Sequence, residues 1–310
     1  MNKLLERLIE KNKYLVQYGQ VADYIPKLKS ANPEDIGICL LDMDGNMYCS
    51  GVYNKKFTIQ SISKVITLML ALVDNGEEKV FSKVGLESTD EPFNSLYKLD
   101  LSLENKPANP MINSGAIIVT SMIKGNHEEK FNKILEAIRK ITNNNTIDYN
   151  REVYESEKET GDRNRAIAYL LKNKGLLEGD VEEVLDVYFK QCSIELDLID
   201  LAKIGLFLAN GCRTLDGGYQ GCNIEIATIL IAVMTTCGMY DFSGEFAARV
   251  GIPSKSGVSG GILSVVPNKY GIGVYGPALD KHGNSIAGFG ILKDLSEKLG
   301  LNIFKICKRN

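Results

Sequence analysis

Apolar positions 62, 65, 66, 69 and 73 (Ile62, Val65, Ile66, Met69, Val73) fall at helical spacing. They predict a helix that starts at Ser61, buries that face, and stops at Asn75-Gly76. Leu4, Leu5, Leu8, Ile9 and Leu15 predict an amphipathic helix over 3–22, closed by Pro26. Two strand patterns, 36–41 and 47–53, flank Asp44-Gly45, a strong hairpin signal. Beyond Gly76 the pattern is mostly helical as far as about Val233. It opens with an irregular stretch, 84–110, that holds Pro92, Pro107 and Pro110. Helices are then predicted from Asn113 or Ser114 and over 127–142, 166–173, 181–190, 198–210 and 224–234. After Pro253 the pattern turns to short glycine-rich strands over 258–266, 271–275 and 285–291, with a closing helix over 292–301.

Strands at both ends with helices between them predict an α+β chain. The simplest assembly is one antiparallel sheet built from both termini, with a helical domain inserted. The sheet-containing unit is expected over 1–75 and 236–310 and the helical unit over 76–235. The active site is expected where they meet, since clefts form at such seams.

Composition narrows the function classes. The chain has 310 residues, 44% of them hydrophobic, which suits one or two globular domains. With 36 basic and 39 acidic residues the formal net charge is −3, and no basic run points to nucleic acid. No apolar run approaches the roughly 20 residues of a membrane span, and the charged N-terminal segment lacks the apolar core of a signal peptide. A cytoplasmic location without membrane contact is therefore expected. Seven scattered cysteines include no C-x-x-C, so neither a disulfide framework nor a zinc site is expected. Cys39, Cys192 and Cys237 read as core thiols. The two histidines, His127 and His282, have no ligand-spaced partners. Their scarcity favours a lysine or tyrosine base over a Ser-His-Asp triad.

The candidate chemistry begins with Ser61-Ile62-Ser63-Lys64. One helical turn brings a serine hydroxyl and a lysine amine onto a common face. The serine needs a base, and the amine becomes one when burial and a helix N-terminus disfavour its ammonium form. The same backbone N–H groups favour a developing oxyanion. S-x-x-K alone is a weak signal. It recurs at Ser95-Leu96-Tyr97-Lys98 in a strand-like segment and at Ser121-Met122-Ile123-Lys124 late in a helix. Only Ser61 sits at a predicted helix start, where an N-cap serine with a solvated lysine is the alternative. The one K-[ST]-G, Lys255-Ser256-Gly257, lies far downstream before an apolar strand. S-x-x-K followed by K-[ST]-G is the pattern of serine acyl-transfer enzymes of the β-lactamase and penicillin-binding type.

The words around these motifs carry a closer likeness. They are Gln60-Ser61-Ile62-Ser63-Lys64, Pro107 to Ala116 (PANPMINSGA), Ser156-Glu157 with Asp162-Arg163-Asn164, Tyr188 to Ser193 (YFKQCS), Met234 to Tyr240 (MTTCGMY) and Lys255-Ser256-Gly257-Val258. In this order, over roughly two hundred residues, they resemble the serine-dependent, cofactor-free glutaminases of bacteria and animal mitochondria. The resemblance implies a β-lactamase-like fold, L-glutamine and water as substrates, no metal or coenzyme, and a homodimer or homotetramer. It implies Ser61 as nucleophile, Lys64 as base, Tyr188 as a proton-handling group near the serine, and Lys255 as a source of positive potential. It further implies a ligand-contacting set of Ser61, Asn113, Glu157, Asn164, Tyr188, Tyr240 and Val258. Glutamine presents an ammonium, a carboxylate and a reacting amide. Glu157 suits the ammonium, while Asn113, Asn164 and Tyr240 suit the carboxylate. The N–H groups of Ser61 and Val258 suit the oxyanion. Read without the resemblance, Asn113 is equally an N-cap, Glu157 a surface charge, and the tyrosines half-buried side chains.

Two further words are decoys. Asp42-Met43-Asp44-Gly45 resembles the opening of haloacid-dehalogenase phosphatases, but a second strand follows it and Asn46 replaces the usual threonine, so a hairpin turn is expected. Gly271-Ile272-Gly273-Val274-Tyr275-Gly276 fits G-x-G-x-x-G, yet Pro277 stands where a dinucleotide site needs a helix, so a glycine-rich strand is expected. Two rival functions remain: a β-lactam or cell-wall peptide acyl-hydrolase, against which the chain lacks an S-D-N word, and a non-catalytic ligand sensor on the same scaffold.

Overall fold

A computed structural model describes residues 1–89 and 106–306. Pro92 and the Ser95–Lys98 word lie outside the described residues. Helix α1 spans Asn2–Asn12, shorter than the 3–22 expected. The buried Asn12 side chain bonds Leu8 O and Asp294, and a 3-10 turn over Lys13–Tyr18 carries the chain on. Strands β1 (Gly37–Asp42) and β2 (Met47–Gly51) form the expected hairpin. Asp42 builds its tip, its carboxylate accepting from the Asp44 and Asn46 N–H groups. The phosphatase-like word is thus a turn. The hairpin register sets Cys39 opposite Cys49, and the two are joined as a disulfide. That corrects the free core thiol expected at Cys39, because cross-strand register is not visible in cysteine spacing.

After β3 (Phe57–Thr58) and a 3-10 turn over Gln60–Ile62 comes α2, Ser63–Asn75. Every residue from Ser63 to Leu72 is buried, whereas Val73 is 48% exposed. The expected one-faced helix is instead a central helix enclosed on all sides, as its nearly charge-free sequence allows. Gly76, with φ +80°, ends it as expected. Next come α3 (Glu77–Lys83), α4 (Asn113–Met122), α5 (His127–Thr142) and β4 (Asp148–Tyr149). They are followed by α6 (Arg151–Glu159), α7 (Asp162–Asn173), α8 (Val181–Cys192) and β5 (Ile194–Leu196). Helices α9 (Leu198–Ala209), α10 (Ile224–Cys237) and α11 (Ser243–Arg249) precede β6 (Ser254–Ser256), β7 (Gly261–Val266) and β8 (Tyr270–Tyr275). Helix α12, Ile286–Leu299, closes the fold.

The strands expected from both ends of the chain join in one antiparallel sheet, β2-β1-β8-β7-β6. A smaller sheet, β3-β5-β4, is built from strands of only two or three residues. Alternation assigns the faces. Ile38, Leu40, Ile262, Ile272 and Val274 pack with α1 and α12, while Cys39, Leu41, Leu263 and Val265 face the core around α2 and α9. The predicted strand over 285–291 is in fact the first part of α12. Ser285 caps it by accepting from the Gly288 N–H, and Ala287, Ile291, Leu292 and Leu295 follow helical spacing. Gly288 and Gly290, poor helix formers, masked that period. No single helix among the described residues is long and apolar enough to cross a membrane.

The glycines of the G-x-G-x-x-G word serve packing. A Cβ on Gly271 would overlap the backbone at Leu206 and Gly205, and one on Gly273 would stand 3.0 Å from Leu198 O. Helix α9 therefore lies almost directly on β8. Gly271→Ala is expected to lower stability by roughly 1–3 kcal/mol through overpacking. The measurement is a urea midpoint, and an unchanged midpoint would refute this account of the glycine.

Candidate active site

The site is built where the β3–α2 connection meets the β6–β7 turn. Gln60 adopts φ +48°, a left-handed conformation uncommon for a residue with a side chain, and so turns Ser61 out of the chain path. Ser61 thus sits in the 3-10 turn one step ahead of α2, rather than at the helix start expected, and Lys64 is the second residue of α2. Ser63 fixes the turn by donating to Gln60 O at 2.7 Å. Gly257 lets the Lys255-Ser256-Gly257 strand lie against this turn: a Cβ there would stand 2.6 Å from Ile59 O. Gly238 does the same on the other side, overlapping Ser254 O if it carried a Cβ, and its carbonyl accepts from the Ser256 N–H. The two distant words therefore converge.

A cavity of about 240 Å³ opens at this seam. Ser61, Asn113, Glu157, Asn164, Tyr188 and Val258 line it, all six from the sequence-predicted set. The other three, Lys64, Lys255 and Tyr240, form a buried layer behind it. The Tyr240 hydroxyl is hydrogen-bonded to Ser61 and also donates to Ser256 O at 3.2 Å. Tyr240 itself holds φ +58°, a second strained residue at the site. Among the described residues, no hydrogen bond takes up the N–H of Ser61 or of Val258.

Lys64 is fully buried. Its Nζ donates to Met111 O at 3.0 Å and to Asn113 Oδ1 at 2.8 Å, and Asn113 donates onward to Asn164 at 3.0 Å. Both acceptors are neutral. Burial therefore dominates and brings the amine down from 10.5 to about 8, with Cys192 and Glu157 opposing the shift only in part. That makes the ammonium form costlier by roughly 3 kcal/mol than in water. At pH 7 about one lysine in ten is then a free base, against about one in three thousand for an ordinary lysine. Lys255 is equally buried. Its Nζ donates to Ser256 O at 2.6 Å and lies 4.3 Å from the centre of the Tyr240 ring. Burial, then the charge of Lys64, holds it well below the usual lysine range.

Glu157 is buried too, and one of its oxygens, Oε2, has no hydrogen-bond partner. Burial pushes this carboxyl up to about 8, against the pull of Lys64 and hydrogen bonds from Gln60 and Cys192. The cavity thus holds a buried acid with one oxygen, Oε2, left without a hydrogen bond, the complement of a ligand ammonium. The Tyr188 hydroxyl is raised well above its ordinary value by burial first.

The sequence reading missed part of the wall. Tyr24 and Ile25 reach the cavity from the N-terminal segment, and Arg163 and Cys192 complete it. Tyr24 lies in a loop without periodicity, so no local signal marked it. Cys192 is buried as expected, but its thiol faces Ser63 and Tyr188 rather than a purely apolar core. Of the other serines, Ser121 donates to Ile118 O inside α4 and is no nucleophile candidate. Neither histidine lines the cavity: His127 faces Glu183 at 3.8 Å, and His282 bonds Asp241 at 2.8 Å.

A family model described as glutaminase matches residues 19–304. The chain belongs to the glutaminase family. It is 56% identical over 302 residues to the glutaminase of Clostridioides difficile, covering 97% of this chain and 98% of that one. It is 54% identical over 305 residues to glutaminase 2 of Clostridium perfringens, covering 98% and 100%. A solved probable glutaminase of Bacillus subtilis superposes with a TM-score of 0.92 at 39% identity, over 98% of this chain and 97% of its own. A second structure shows the covalent complex between a Bacillus subtilis glutaminase and 5-oxo-L-norleucine, formed by reaction with 6-diazo-5-oxo-L-norleucine. It superposes with a TM-score of 0.87 at 39% identity, covering 98% and 99%. The glutaminase-family chain accordingly has the β-lactamase-like fold that its motifs imply, and is an enzyme of the amide-hydrolysing glutaminase type.

Proposed function

We propose that the enzyme hydrolyses L-glutamine to L-glutamate and ammonia through a γ-glutamyl ester on Ser61. The observation that carries this reading is a serine held out by a strained turn on the wall of a cavity, with a desolvated lysine in the layer behind it that bonds the lining Asn113. Lys64 in its neutral form takes the Ser61 proton, and the serine oxygen attacks the side-chain amide carbon. The oxyanion is held by the N–H groups of Ser61 and Val258. Tyr188 and Tyr240 relay a proton to the departing amine, and Lys255 supports the Tyr240 oxygen's surroundings with a buried amine. Water then attacks the ester carbonyl by the reverse proton path. Glu157 pairs with the substrate ammonium, and Asn113 and Asn164 receive its carboxylate, while the Tyr240 hydroxyl, expected there from the resemblance, bonds Ser61 at the reacting end instead. A cavity of about 240 Å³ with one unpartnered carboxyl oxygen, Glu157 Oε2, suits a single amino acid better than a bicyclic β-lactam.

The test is reaction with 6-diazo-5-oxo-L-norleucine, a glutamine-like electrophile. A single adduct on the peptide that contains Ser61, with parallel loss of glutamine turnover, is the expected result. Inactivation with the label on another residue would reject Ser61 as nucleophile.

A further inference from the structure

One of the two acceptors on the Lys64 amine is set in place by a side chain that does not line the cavity. That side chain is Asn109, buried in the Asn109-Pro110-Met111-Ile112-Asn113 stretch ahead of α4. Pro110 has no N–H, so the first donors after Asn109 are the N–H groups of Met111 and Ile112. Asn109 Oδ1 accepts from both, at 3.0 and 3.2 Å. Side chains of this length often bond the backbone two residues on. The other half of the carboxamide is an anchor: Nδ2 donates to Glu87 O at 2.7 Å. Backbone bonds from Gly85 N to Pro107 O and from Glu87 N to Ala108 O, both 2.8 Å, fasten the stretch to the same segment. Gly115 closes in from α4, where a Cβ would stand 2.0 Å from Asn109 O.

This capture aims a carbonyl. In a trans peptide the C=O of one residue and the N–H of the next point in opposite directions, and the described chain has no cis bond. Holding the Ile112 N–H at Asn109 therefore turns the Met111 carbonyl the other way, to where Lys64 Nζ donates to it at 3.0 Å. Asn113 Oδ1, at 2.8 Å, is the second acceptor. A neutral amine has two N–H groups and one lone pair. With both N–H groups taken, the lone pair is left in the one tetrahedral direction that neither acceptor occupies. The charged groups facing Lys64 come from other elements: Glu157 of α6, Cys192 of α8 and Lys255 of β6. Asn109 adds no charge to them, so it acts on Lys64 through geometry and the exclusion of water.

Resting on Lys64 as the base, we infer that Asn109 is a positioning residue for the reaction: its carboxamide oxygen holds the Met111 carbonyl against Lys64 and so aims the amine's lone pair. Without that oxygen the 111–112 peptide is free to turn, and water replaces the carbonyl at the amine. The amine is then aimed less well and its ammonium form is better solvated. Misplacement of a reacting group by about 1 Å costs on the order of a hundredfold in rate.

The experiment measures kcat and KM for glutamine across about pH 6 to 10 in the full-length parent, Asn109→Ala, Asn109→Ser and Lys64→Met. Asn109→Ala should lower kcat at pH 7 about ten- to a hundredfold and change KM less than about threefold, because Glu157 and Asn164 still hold the substrate. Its rise of kcat with pH should move upward from the parent's region near 8, so that the deficit narrows as the pH increases. Asn109→Ser loses the Glu87 bond just as alanine does, but keeps an oxygen that accepts from a nearby N–H. It should recover kcat at least about threefold over alanine and draw the limb back toward the parent's position. The inference is overturned by an Asn109→Ala kcat within about twofold of the parent, by a loss equal at every pH, or by serine no better than alanine. Should Asn109→Ala not fold, Asn109→Ser against the parent decides: a displaced limb with KM held supports the inference, and an unmoved limb overturns it. A parent limb that survives Lys64→Met counts against Lys64 as base instead, whatever Asn109 does.

Discussion

Ser61→Ala should lower kcat/KM for glutamine by about four orders of magnitude or more, the scale on which acyl-transfer enzymes lose rate when the nucleophile is removed. The reason is that no other hydroxyl occupies its place. Ser63 is committed to Gln60 O, and Ser256 and Ser259, though buried without side-chain partners, do not line the cavity. The substitution removes one oxygen from a turn whose shape is held by Ser63 and by the packing of Gly257, so the fold should persist. Thermal unfolding of the variant should stay within a few degrees of the parent, as expected for loss of one hydrogen bond. A folded Ser61→Ala enzyme retaining more than about one hundredth of the parent activity would end the nucleophile assignment.

Lys64→Met is expected to cost about 10²- to 10⁴-fold in kcat, the usual range for a positioned general base. Methionine nearly preserves the buried volume, so the loss should not come from collapse of the core. The pH profile separates a base from a merely structural lysine. The lysine acts as a base only when neutral, and burial brings its transition down to about 8. In the parent enzyme kcat should therefore rise with pH through that region and level off above it. The variant should lose this limb and keep a flat, low rate. Glu157 also titrates near 8, but the bound ammonium of the substrate favours its charged form, so it acts on kcat/KM rather than on kcat. A Lys64→Met enzyme with the parent's pH limb would transfer the role of base to another group, with Tyr188 the next candidate.

The two lysines illustrate what one-dimensional reading can and cannot reach. The S-x-x-K spacing fixes how far Ser61 and Lys64 are apart, because one turn of chain joins them. It does not fix the acidity of the amine. That depends on Met111 and Asn113, nearly fifty residues away, which surround it with neutral acceptors instead of carboxylates or water. Glu157 is a similar case: its identity is local, while its burial and its unpaired oxygen come from how α6, α7 and the Ser61 turn close around it. The errors have the same origin. Val73 carries the right period on a helix that turned out to be enclosed on nearly every side. The 285–291 segment looked like a strand because two glycines, present for close packing, weakened a helical signal.

By itself the chain determined the α+β class, the two halves of the sheet, most helices, and the words that hold Ser61, Lys64 and Lys255. These are set by period, turn chemistry and short spacing, all of which act between neighbouring residues. Only the tertiary structure decided that Lys255 lies behind the same cavity as Ser61 and that Tyr24 and Cys192 complete its wall. Those properties depend on which surfaces the core brings together and which it deprives of water. Solvent exclusion is a collective result of packing, and no local stretch of sequence records it.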